Sequence, residues 1–134
     1  VDIPPASTPV VCDMSTAPDT VPQRLEEYRQ LFARALVGRE KTGRGVRFRF
    51  RAEPGLRAHI EDLAAREKAC CAFFAFEVTL DGGEIVWDWA VSDDDAARAV
   101  LDEFYHLPDR AAHSPAEVRD RLEGKGLAFA GDPG

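Results

Sequence analysis

The sequence predicts an α+β sandwich: a four-stranded, mainly antiparallel sheet with helices on one face. Three observations predict it. Val46-Arg47-Phe48-Arg49-Phe50-Arg51 alternates strictly between apolar and charged residues, the period of a strand with one buried and one wet face. Phe73 to Leu80 and Glu84 to Val91 flank Asp81-Gly82-Gly83, a strong hairpin signal. The stretches between these strands carry apolar residues at helical spacing.

Taken in order, Val10-Val11-Cys12-Asp13-Met14 is a short apolar run bounded by Pro9 and Ser15, and reads as a strand. Val21 to Leu36 places Leu25, Tyr28, Leu31, Phe32 and Leu36 on one helical face, and Lys41-Thr42-Gly43-Arg44-Gly45 breaks the pattern. After the alternating strand, Pro54 opens a second helix with Leu56, Ile60 and Leu63 as its stripe. In the hairpin, Phe74, Phe76 and Val78 share a face with Ile85, Trp87 and Trp89. Ser92-Asp93-Asp94-Asp95 supplies caps and first-turn carboxylates to a third helix with Ala96, Val100, Leu101 and Phe104 inward. Ser114-Pro115-Ala116-Glu117 is a capping box that opens a short last helix. This order predicts a flexible segment at 1–8, a single α/β domain at 9–105, and a helical extension and fraying tail at 106–134.

From the second strand onward the order is β-α-β-β-α, a ferredoxin-like split unit lacking its last strand. The first strand is expected to fill that edge, giving a permuted ferredoxin-like sandwich. Arg47, Arg49 and Arg51 then share the outer face with Glu77 and Asp88, and cross-strand pairing accounts for the arginine row.

Net charge is −7 with 45% hydrophobic residues, which describes a globular chain without the basic face that phosphate binding needs. No nucleic-acid partner is expected. No apolar run approaches the ~20 residues that span a bilayer, and the first residues lack a signal-peptide pattern. The chain therefore reads as cytoplasmic, without a membrane partner. Three cysteines make a poor disulfide framework, and reduced thiols are the expectation.

Those thiols carry the main candidate site. In the predicted topology the end of the first strand meets the end of the second helix, so Cys12 and Asp13 approach Cys70 and Cys71. The second helix adds an anomaly. At about 100° per residue from Leu56, Glu67 falls near 20°, inside the apolar stripe, with Cys70 and Cys71 on its two edges. A carboxylate there is costly unless a cation, a hydrogen-bond network or the helix end relieves it. Free cysteines and phenylalanines are ordinary core residues, so burial alone explains much of the stretch, though not the glutamate. Asp93-Asp94-Asp95 lacks the ligand spacing of a calcium loop, and the chain has no CxxC, phosphate loop, nucleophile elbow or HExxH motif.

The pattern Glu67-x-x-Cys70-Cys71-x-Phe73-Phe74-x-Phe76, followed by a hairpin and Val100-Leu101-Asp102-Glu103-Phe104, resembles a small domain frequent in high-GC actinobacteria. That domain occurs alone or attached to MerR-type transcription regulators, and the likeness covers residues 9 to 105. MerR-type regulators respond to metals, oxidants or drugs, so the resemblance implies stress sensing and a MerR-type partner. A looser likeness is to organomercurial lyases, which use two cysteines and an aspartate and carry a Cys-Cys pair shortly before a Phe-Phe pair. It keeps mercury among the ions, and lyase chemistry as an alternative.

The leading expectation is thiolate binding of a thiophilic ion (Zn, Hg, Cu or As) by Cys12, Cys70, Cys71 and Glu67, for sensing or sequestration. Two alternatives stand beside it: a noncatalytic interaction module with core cysteines, and a cysteine-dependent enzyme. A homodimer is left open.

Overall fold

A computed structural model describes residues 2–110 and 112–131. Its elements are β1 (Val11–Asp13), α1 (Val21–Ala35), β2 (Leu36–Lys41), β3 (Gly45–Arg51), α2 (Leu56–Cys70), β4 (Phe74–Asp81) and β5 (Glu84–Val91). They are followed by α3 (Asp95–Tyr105), a 3-10 turn at Leu107–Arg110, α4 (Pro115–Gly124) and β6 (Ala128–Ala130).

The main sheet has four strands in the order β2-β3-β5-β4, with every neighbouring pair antiparallel. Strands β3 and β4 are therefore parallel and separated by β5, with α2 crossing between them. The alternating strand and the hairpin fold as their patterns predict. Phe76 faces Trp89 and Val78 faces Trp87 across the hairpin. Gly82 and Gly83 both take positive φ in its turn, a conformation that glycine adopts at little cost. Phe48, Phe50, Phe74, Trp87 and Trp89 are buried beneath the helices, while Arg47 pairs with Asp88 and Arg49 with Glu40 on the opposite face.

Two expectations about strands are corrected. The edge beside β3 is filled by β2, a segment the sequence reading leaves between helix and loop, and not by the first strand. Leu-Val-Gly-Arg-Glu-Lys pairs on one side only, so it lacks the apolar run of an interior strand. β1 instead pairs in parallel with β6 as a separate two-stranded sheet. β6 lies in the segment where a fraying tail is expected; a three-residue strand has no period to detect.

Three helix starts follow their capping residues, whereas α2 begins at Leu56, past the expected opening at Pro54 and after a Gly55 at positive φ that offers no side-chain cap. The Ser114/Glu117 box is formed, Asp94 caps α3, and Thr20 forms a second box with Gln23 ahead of α1. Gly45 is required where β3 enters the sheet, because a Cβ there would collide with the Trp89 carbonyl.

Expected as reduced, Cys12 and Cys71 are joined by a disulfide. An odd cysteine count rules out complete pairing, but it leaves two free to bond. The crosslink spans a sequence separation of 59 residues. Chain entropy alone assigns a loop of that size about 4 kcal/mol.

Candidate metal centre

The site is built where α2 ends. Cys70 is its last helical residue, and Cys71 leaves the helix while its N–H still donates to the Glu67 carbonyl at 2.7 Å. That departure separates two adjacent side chains. Cys71 reaches Cys12 on β1, while Cys70 lies 3.9 Å from Arg24 Nη2. All three cysteines are buried, at 2%, 6% and 1% exposure for Cys12, Cys70 and Cys71.

Glu67 is buried, as its place in the apolar stripe predicts, and its two oxygens are used differently. Oε2 accepts from Tyr28 Oη at 2.9 Å and from Arg24 Nη1 at 3.1 Å. Oε1 lies 3.2 Å from Cys71 Sγ. In the disulfide that sulfur carries no proton, so the contact becomes a hydrogen bond only when the thiol is restored. Arg24 is held in turn by Asp19, which accepts from Nε at 2.6 Å and Nη2 at 2.7 Å. Arg66 braces Asp19 and Glu27 from outside.

Burial raises the Glu67 carboxyl above the usual range, against the lowering effect of Arg24 and Tyr28. Burial and the adjacent Glu67 charge push the Tyr28 hydroxyl well up, so it remains a donor. Burial also raises the Cys70 thiol, more than Arg24 lowers it. Burial alone would lower Arg24, but Asp19 and Glu67 outweigh it and keep the guanidinium charged.

The ligand atoms of Cys12, Glu67 and Cys71 lie within 4.8 Å of one another, a buried cluster capable of holding a metal ion. Cys70 stands outside it. Asp13 is exposed and accepts from the Ser15 N–H at 3.0 Å, so it does not join Cys12 at the cluster. Beside the cluster is a cavity of about 20 Å³, lined by Cys12, Arg24, Tyr28 and Glu67 together with apolar side chains such as Met14 and Phe129. That volume holds roughly one water-sized particle.

Arg24 and Tyr28 are the residues that sequence reasoning missed. Tyr28 reads as core. Arg24 follows Val21 by three residues and precedes Tyr28 by four, which puts a cation inside an apolar stripe. That is the counterpart of the Glu67 anomaly. Two misplaced charges of opposite sign on two helices are the signal for the pair.

The chain matches no known family model, no curated protein and no solved structure. Among the described residues, no helix is long and apolar enough to cross a membrane.

Proposed function

We propose that this chain binds one soft metal or metalloid ion through Cys12, Cys71 and Glu67 when the two cysteines are reduced. The observation that carries the reading is the division of labour at Glu67. Its Oε2 is fixed by Arg24 and Tyr28, while Oε1 is directed at Cys71. A carboxylate used only to neutralise Arg24 has no need to face a sulfur. Two thiolates and a carboxylate suit Zn(II), and the sulfurs alone suit Hg(II), Cu(I) or As(III). With a divalent ion, the two thiolates, Glu67 and Arg24 sum to zero formal charge, which relieves the cost of burying them. Sensing or sequestration is the use that fits, in keeping with the likeness to domains attached to MerR-type regulators. The scaffold is read as a permuted ferredoxin-like sandwich, with β2 in the edge position.

The disulfide itself favours a second reading, a structural staple in an interaction module. Anaerobic titration of the reduced chain with Zn(II) and Hg(II) separates the two. One ion per chain is expected for wild type and Cys70→Ser, and loss of tight binding for Cys12→Ser and Cys71→Ser. Arg24→Met should weaken Zn(II) roughly 10–100-fold, the usual effect of removing a group that orients a metal ligand. Equal stoichiometry and affinity in all the proteins would leave the staple.

A further inference from the structure

We infer that the site is redox-gated: a bound ion and the Cys12–Cys71 disulfide are alternative states of the same two sulfurs. Oxidation expels the ion, and the ion shields the sulfurs from oxidation. This rests on the metal-binding reading above and names its control.

Two features make the states exclusive, and a third lets them interchange. Metals take thiolate sulfur, and a disulfide sulfur has no thiolate charge to offer. With the bond closed, Oε1 of Glu67 is the last ligand of the cluster, and one carboxylate oxygen does not hold a soft ion. No other thiol replaces the lost pair. Cys70 is the remaining cysteine, and its sulfur stands outside the cluster, turned to Arg24. The third feature is mechanical latitude. Seating an ion requires the sulfurs to part, and Cys12 sits on a three-residue strand whose ladder partner is equally short.

The exchange balances with a low-molecular-weight disulfide, RSSR, as oxidant. The Cys12 and Cys71 thiolates each lose one electron and form one S–S bond. RSSR accepts both electrons, its S–S bond breaks, and two RS⁻ leave and take protons from water. The ion departs with its charge unchanged, so Zn(II) itself takes no part in the redox step. The reaction runs by attack of one protein thiolate on RSSR, then attack of the second on the mixed disulfide. A thiolate whose lone pair is committed to a metal is a poor attacker, which is why the ion protects. Reduction by two equivalents of a small thiol restores the site.

The test uses the full chain, reduced anaerobically and loaded with one equivalent of Zn(II). Glutathione disulfide is added. Released zinc is followed with a chromogenic indicator, and the Cys12–Cys71 bond by peptide mass spectrometry. One zinc should appear per disulfide formed, in wild type and in Cys70→Ser alike. The metal-free reduced chain should oxidise roughly tenfold faster than the loaded one, as expected where access and thiolate availability set the rate. The oxidised chain should bind no Zn(II) until it is reduced again. Tight Zn(II) binding by the oxidised chain, or disulfide formation without zinc release, would overturn the gate while leaving the metal site standing. Failure of the reduced chain to bind Zn(II) or Hg(II) would overturn both.

Discussion

Among the described residues two glutamates are buried, and they are treated in opposite ways. Glu103 on α3 is 2% exposed and receives Arg121 Nε at 2.5 Å and Arg110 Nε at 3.2 Å. Both arginines lie toward solvent. Burial pushes its carboxyl up, but the bonds from Arg121 and Arg110 outweigh this and hold it below the usual range. Glu67 is 4% exposed and has a single arginine, itself buried and shared with Asp19. Its carboxyl is raised instead. One carboxylate is fully paired and closes an ion cluster between α3, the 3-10 turn and α4. The other has its arginine and tyrosine on one oxygen and a sulfur against the second. The difference lies in the partners: two arginines close around Glu103, while Glu67 has one arginine and turns its second oxygen to a sulfur.

Removing one arginine from each cluster gives the largest contrast. Arg24→Met leaves Glu67 buried without its cation and should cost roughly 3–5 kcal/mol in urea unfolding of the oxidised chain. Arg121→Met leaves Glu103 with Arg110, and its own side chain is 40% exposed, so about 1 kcal/mol or less is expected. Similar losses at the two sites would erase the distinction.

The pH dependence sharpens the comparison at smaller scale. Folded Glu67 holds its proton more tightly than the unfolded chain, so its contribution to stability falls as pH rises from the ordinary value near 4.5 through the raised one. Folded Glu103 holds its proton less tightly. Its contribution is present above 4.5 and is lost as pH falls through the lowered value. The stability difference between wild type and Glu67→Gln should therefore shrink toward neutral pH. The difference between wild type and Glu103→Gln should shrink toward acid. Denaturant melts across the acid range read both, and slopes of the same sign would refute the assignment.

Much of the framework was legible because its signals are local. The alternation of Val46 to Arg51, the Gly82-Gly83 turn and the Ser114 box each decide conformation within a few residues. The burial of Glu67 followed from helix periodicity for the same reason. What escaped was long-range. β2 is an edge strand whose polar end needs pairing on one side only. β1 and β6 are three-residue strands that make sense only as a pair. The meeting of Cys12 and Cys71 was expected at the right end of α2, though by a different route, and its oxidation was not. Arg24 was readable in principle, since a cation in an apolar stripe demands a partner, but naming Glu67 as that partner required the packing of α1 on α2.

The parallel pairing of β1 with β6 bears on how the molecule carries load. Handles placed just before Val11 and just after Ala130 would pull the two strands in opposite directions along their length. The three residue pairs would then be strained together in shear, not peeled apart one after another. Beyond that rupture, the Cys12–Cys71 bond removes the segment between the two cysteines from the stretched path. With a separation of 59 residues and about 3.4 Å per extended residue, the oxidised chain should stop about 200 Å short of the reduced one. A force-extension trace would read the oxidation state of the site directly as a length.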